Sequence, residues 1–349
     1  FELSTGTQLV WVIHHLAVDA VSWSTLVRDL ETVYQQLERG SASSLPPKTS
    51  AFKYWAEGLQ QVNLTEAEQA LWIASASTEP VPMGLTAGTV GEAQTITCEL
   101  EAKLTQALVN KGRIRERLLT ALALAVSQQQ TRSADAGLEQ PAAVRIDLEG
   151  HGREEGLEPG ASLPRTEGWF TSLFPITQQD AGAQPLAAVT EALAQVPQNG
   201  IGYGVMRYLK PDPTLETQLE TLPQAEILFN DLGDLDRLLS PSEQFQLAAP
   251  LQVSQSPHQR QSHPLSLAAY RYGGRLHLDW HYSGVATSMV QQLATDLVHQ
   301  LKTLLTDRPP TVQDFPLANL NRRSFDKLSA LLSQADQSDH PNPREANHG

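Results

Sequence analysis

Residues 9–13 (Leu, Val, Trp, Val, Ile) form a short unbroken apolar run, rich in β-branched side chains, that predicts a strand buried on both faces. A loop over residues 14–20 follows. Leu26, Leu30, Val33, Tyr34 and Leu37 then recur at helical spacing, and Gly40 is a natural stop. A loop of Ser and Pro covers 41–50. Phe52, Trp55, Leu59 and Val62 mark a second amphipathic helix, and Thr65 with Glu68 makes a capping box ahead of a third that carries Leu71 and Trp72. Residues 75–93 are in large part Ser, Thr, Pro and Gly, which predicts a linker between two lobes.

Beyond the linker, residues 118–126 lie in a strongly apolar helix. Val144, Ile146 and Leu148 then alternate with Arg145, Asp147 and Glu149. Period two predicts a strand with one buried apolar face and one face carrying the charges, ended by Gly150 and Gly152. Leu265–Tyr272 and Arg275–Tyr282 flank Gly273-Gly274, a β-hairpin with a tight turn. Leu276, Leu278, Trp280 and Tyr282 share one face. Met289, Leu293, Leu297, Leu301 and Leu304 form a closing helix. From about 334 the chain is polar and Pro-containing and reads as a disordered tail. There is no internal repeat, and the class is mixed α and β.

Composition narrows the function. A chain of 349 residues holds two lobes, and 40% hydrophobic with 18% charged residues is ordinary for a globular enzyme. A net charge of −14 argues against a nucleic-acid backbone as partner, which would need clustered Lys and Arg. Lys111, Arg113, Arg115 and Arg117, interrupted by Glu116, read as the polar side of a helix. The single cysteine, Cys98, sits in a strand-like context and reads as a structural thiol; a reducing, cytoplasmic setting fits. No apolar run approaches the ~18 residues that span a bilayer, and no segment here reads as a signal peptide. The chain opens on Phe1, almost directly on a motif, so an absent upstream part is expected.

The chemistry concentrates in ordered blocks. His14, His15, Asp19, Ser22 and Trp23 close the first strand and open the following helix. In an extended segment adjacent side chains point to opposite faces, so one histidine enters a cleft while the other packs inside. Catalytic histidines near neutral pH compete here with satisfied core histidines; no third ligand supports a metal site. Asp19 is placed to cap the helix and pair with an arginine. Glu149 ends its strand beside two glycines that let a substrate come close. It reads as a general base or, blandly, as a charged strand terminus at a turn. Gly168-Trp169-Phe170-Thr171-Ser172, the glycine-rich Gly200-Ile201-Gly202-Tyr203-Gly204 loop and Phe229-Asn230-Asp231-Leu232-Gly233 complete the set. The run at 200–204 lacks the Lys-Ser/Thr ending of a phosphate loop.

In this order, these blocks resemble the epimerization domains of nonribosomal peptide synthetases, within the condensation-domain superfamily. HHxxxD is met by His14, His15 and Asp19, and EGHGRE from Glu149 to Glu154. The resemblance spans about residues 1–330 and includes a closing Asp314-Phe315-Pro316-Leu317-Ala318 segment. Ala20, Glu167 and Asp231 depart from it, standing where the family has Gly, an apolar residue and an aromatic. The implied fold is two-lobed and similar to chloramphenicol acetyltransferase. Residues 1–78 would be the remainder of an incomplete first lobe carrying HHxxxD, 79–330 the second lobe carrying EGHGRE, and 331–349 a linker or tail.

The implied reaction inverts the α-carbon of an aminoacyl or peptidyl thioester. By the resemblance, Glu149 is the acid/base, His15 stabilises the enolate or exchanges the second proton, and Tyr203 and Asn230 give support or relay protons. His14, Asp19 and Arg153 are structural. No cofactor or metal of its own is implied, since the substrate hangs from the phosphopantetheine of an upstream peptidyl carrier protein. A downstream condensation domain or the next synthetase subunit is a further expected partner, with no nucleic acid and no membrane. Two rivals stay open: a condensation domain that forms peptide bonds, and an inactive scaffold module.

Overall fold

The alternating segments of the later chain close into one six-stranded sheet in the order β3-β8-β7-β6-β4-β5. Its strands are β3 (Gln94–Glu99), β4 (Val144–Gly150), β5 (Ser172–Gln178), β6 (Ile227–Asp234), β7 (Leu265–Tyr272) and β8 (Arg275–Tyr282). β6 runs parallel to both β4 and β7, and the other pairs are antiparallel. The fold is therefore mixed α/β with a single mixed sheet. The computed structural model of the chain describes residues 2–3, 6–77, 80–133, 143–154, 161–178, 184–210, 219, 224–238, 245 and 255–306. The expected tail at 331–349 and the segment at 314–318 lie outside the described residues.

Before the sheet come a two-residue ladder, β1 (Glu2–Leu3) with β2 (Gly6–Thr7), and three helices: α1 (Ala20–Glu38), α2 (Phe52–Leu59) and α3 (Glu66–Ser77). Around the sheet lie α4 (Ala102–Lys111), α5 (Ile114–Ser133), α6 (Pro185–Ala194), α7 (Ile201–Gly204), α8 (Leu235–Leu238) and α9 (Thr287–Thr306). No helix among them is long and apolar enough to cross a membrane.

One sheet face makes the core. Ile146, Leu148, Phe229, Leu267, Leu278 and Trp280 point into it and meet Leu118 and Leu122 of α5 and Leu293, Leu297 and Leu301 of α9. The period of two on the strands and the helical period on α9 thus bury on each other, as the sequence predicts. The hairpin turn needs positive φ at both central residues, and Gly273 and Gly274 take φ values of 59° and 71°. Arg117 of α5 donates to the Leu304 carbonyl at 2.9 Å, which fastens the end of α9.

Several expectations are corrected. Residues 9–13 form no strand: Leu9 is 62% and Val12 82% exposed. A strand needs a neighbour for its N–H and C=O groups, and no described strand pairs with these residues. The charged face of β4, expected as such, is itself largely covered. Arg145 is only 6% exposed; its guanidinium donates to Thr177 Oγ1 at 3.1 Å and to the Ser75 carbonyl of α3 at 3.1 Å. The glycine-rich segment at 200–204 is not a loop but the single-turn α7, followed by a π-helical turn at Val205–Leu209. The 75–93 segment begins inside α3, and beyond residues 78 and 79, which lie outside the described residues, it is strapped down. The Glu226 carboxylate accepts from the Met83 and Leu85 N–H groups, each at 2.6 Å, and Gly88 N–H donates to Ser283 Oγ at 3.0 Å.

Candidate active site

Three sequence blocks that are far apart along the chain meet at one buried hub. Asp19 is the N-cap of α1: its Oδ1 accepts from Ser22 N–H at 2.7 Å. The same oxygen accepts from an Arg153 Nη at 2.7 Å, and Oδ2 accepts from Phe170 N–H at 3.3 Å. Arg153 also donates to the carbonyls of Leu163 (3.0 Å) and Thr166 (2.7 Å), and its guanidinium lies 4.1 Å over the Phe170 ring. Ser22 Oγ accepts from Gly168 N–H at 3.2 Å. Both charges are buried and each has several partners, the condition under which a buried ion pair is tolerated. The hub ties the start of α1 to the stretch after β4 and to the entry into β5.

Gly152 serves this hub. Its φ is +64°, and an added Cβ would stand 1.7 Å from the Phe170 carbonyl oxygen. At Gly150 a Cβ would meet Ser172 Oγ at 2.6 Å. The two glycines, read from sequence as room for a substrate, are filled by the protein's own chain.

Glu149 lies near the end of β4, on the face it shares with Arg145 and Asp147. Across the parallel β4–β6 contact stands Asn230, whose amide donates to Glu149 Oε2. Arg115 of α5 donates to the Glu149 main-chain carbonyl at 3.2 Å. Burial pushes the Glu149 carboxyl above the usual carboxylate range, and the charges of His15 and His263 pull against that shift. A half-buried carboxylate in this state is suited to take and return a proton.

His14 and His15 are both exposed, so neither packs inside; with no strand at 9–13, nothing fixes opposite faces for them. His14 Nδ1 accepts from Leu16 N–H at 3.1 Å. The His15 ring lies 5.2 Å from the half-exposed Trp169 ring, tilted at 43°. Tyr203 is not beside Glu149 through any direct bond: it packs on Trp72 at 5.5 Å, and its hydroxyl accepts from Arg207 at 3.0 Å. Burial raises its phenol. Two of the departures from the family pattern also lie close by. Burial raises the carboxyls of both Glu167 and Asp231, opposed at Glu167 by a Ser22 hydrogen bond and at Asp231 by its bond from Gly233 N–H.

Sequence reasoning missed His263. It is 7% exposed, immediately before β7, with Nε2 2.9 Å from Asp147 Oδ2 and Nδ1 3.0 Å from Ser262 Oγ. The available signal was weak: a histidine followed by Pro264 at the start of an alternating strand. No cluster of three His, Cys, Asp or Glu among the described residues could hold a metal ion.

The profile of the condensation-domain family matches residues 2–320. One of the linear gramicidin synthase proteins of Brevibacillus parabrevis is 35% identical over 92% of this chain, and the chondramide synthase cmdD of Chondromyces crocatus is 34% identical over 94%. The chain spans only 4% and 9% of those two proteins. Among solved structures, the epimerization domain from the third module of tyrocidine synthetase B superposes with a TM-score of 0.69 at 28% identity, over 84% of this chain and 67% of that one. The first condensation domain of the CDA synthetase, at 16% identity and a TM-score of 0.55 over 86% of this chain and 64% of that one, shares the fold. The chain belongs to the condensation-domain family.

Proposed function

We propose that this chain inverts the α-carbon of an aminoacyl or peptidyl thioester presented on the phosphopantetheine arm of a carrier protein. The observation that carries the reading is Glu149: a half-buried carboxylate, raised by burial and held by Asn230, with the charge of His15 acting on it. The complete EGHGRE and GWFTS blocks and the likeness to a solved epimerization domain support it further.

In this reading Glu149 takes the α-proton. The C–H electron pair moves into the thioester, giving an enolate whose oxygen carries the charge. His15 faces that charge, or returns a proton to the opposite side of the carbon. Donation from Asn230 fixes the carboxylate's orientation. Tyr203 acts at one remove, by packing Trp72 and holding Arg207. Asp19, Arg153 and Ser22 keep the loop of His14 and His15 against the strand that bears Glu149. The carrier protein precedes this domain, and a condensation domain or another subunit receives the product; the acidic chain with its single thiol fits the cytoplasm.

The test is wash-in of deuterium at the α-position of an aminoacyl thioester loaded on a carrier protein. Exchange without peptide-bond formation is the expected result, and Glu149→Gln should lower its rate at least ~100-fold, the usual minimum for loss of an acid/base group, with carrier binding unchanged. Peptide bonds in place of exchange would make the chain a condensation domain. Absence of both would make it a scaffold.

A further inference from the structure

The motif blocks leave one buried titratable pair unused. Asp147 stands two residues before Glu149, so the two carboxylates share a face of β4. His263 reaches that face from the segment before β7, and its ring nitrogens are 2.9 Å from Asp147 Oδ2 and 3.0 Å from Ser262 Oγ. Both nitrogens therefore have partners, and in its protonated form the ring donates from both. At 7% exposure it is shielded from solvent, in contrast to the exposed His15.

We propose that His263, anchored by Asp147, is a positioning residue for Glu149: a buried imidazole held on the face of β4 that bears the reactive carboxylate. The role rests on Glu149 being the reactive group. Among the described residues, the charged and titratable groups on this side include Arg145 and Asp147 on the same strand, Arg115 from α5, His15 from the loop before α1, His263 from the segment before β7, and Tyr203 and Arg207, which act on Asp147. Arg145 is committed to Thr177 and Ser75, and Arg115 to a main-chain carbonyl. His15 and His263 are left as the rings that act on the carboxylate, and only His263 is held in place by a second carboxylate. Asp147 thereby does for His263 what an orienting carboxylate does for any working histidine: it fixes the ring and its hydrogen-bonding direction. Without His263 the buried carboxylate would hold its proton to higher pH and be a poorer base near neutrality.

The experiment is a pH titration of the full chain carrying ¹³C-labelled glutamate, with the Glu149 carboxyl signal identified by its loss in Glu149→Gln. His263→Gln keeps an amide that can donate to Asp147 and removes the charge. The Glu149 midpoint should rise by about one pH unit, and the acidic limb of the exchange rate should move by the same amount with its plateau little changed. An unmoved midpoint in a variant whose β7–β8 amide signals are native overturns the proposal. If His263→Gln does not fold, the reciprocal measurement decides: in Glu149→Gln the His263 ring should titrate at lower pH, and an unchanged ring titration overturns the coupling. A wild-type chain without exchange activity would sink the epimerization reading alone, because the carboxyl titration needs no turnover.

Discussion

The β7–β8 hairpin and α1 both carry regularly spaced apolar residues, yet the first set is buried and the second, like the apolar run at 9–13 before it, is at most half-buried. In β8 and α9 the spaced residues are buried, Leu278, Trp280, Leu293 and Leu297 among them. In the earlier stretch Leu9, Val12, Tyr34 and Leu37 are exposed, and the side of α1 that packs inward carries Ser22, Ser24 and Thr25. Spacing sets which side chains share a face; burial also needs a second surface. The hairpin has α9 and α5 across its face, while α1 is held by a polar hub at its N-terminus and by Arg165, which donates to both Asp29 oxygens at 2.6 and 2.7 Å. Hydrophobic packing holds one region, and ion pairs with their hydrogen bonds hold the other.

The sharpest way to break the contrast is to remove the ion. Arg153→Met deletes the cation that pairs with Asp19 and leaves a buried carboxylate uncompensated, a cost of about 3 to 5 kcal/mol. It should act unequally. Limited proteolysis should cut within residues 9–38 sooner than in wild type, while the hairpin keeps its protection against amide exchange. Equal loss of protection in both regions would show that the hub holds the whole fold rather than the start of α1.

A pair of matched truncations comes next. Leu278→Ala opens a cavity between the sheet and its helices and should cost about 3 kcal/mol in urea unfolding. Leu37→Ala, at an exposed site on α1, should change stability by no more than about 0.5 kcal/mol. A large cost at Leu37 would mean that the apolar side of α1 is covered in solution.

The same contrast explains what could be read from the chain. The hairpin, α9 and the buried set Leu276, Leu278, Trp280 and Tyr282 follow from local signals, because Gly273-Gly274 fixes the turn and period two fixes the face. The strand at 9–13 had the right composition, but composition does not supply a neighbour. Period two gave Arg145, Asp147 and Glu149 one shared face but not what lies over it; α3, Asn230 and His263 cover it, and all three come from distant parts of the chain. The order of the motif blocks singled out Glu149, Asn230, Asp19 and Arg153 as candidates. His263 stayed hidden because its partner, Asp147, is 116 residues away and no short pattern links them.

The smallest expected effect separates a residue kept for chemistry from one kept for packing. Burial raises the folded-state pKa of Glu149 above its unfolded value. Between the two values the folded chain binds more protons than the unfolded one, so stability falls as pH rises through that interval and stays lower above it. Glu149→Gln removes the charge and retains an oxygen for the Asn230 amide. The variant should therefore be more stable than wild type at neutral pH by about 0.5 to 1 kcal/mol, the size of gain typical when a strained functional group is neutralised. The gain should vanish below the unfolded carboxylate range, near pH 4. Thermal unfolding of both proteins from pH 4 to 8 measures it. A pH-independent loss of stability would instead make Glu149 part of the structural framework, like Asp19, and would remove the physical ground for assigning it the proton transfer.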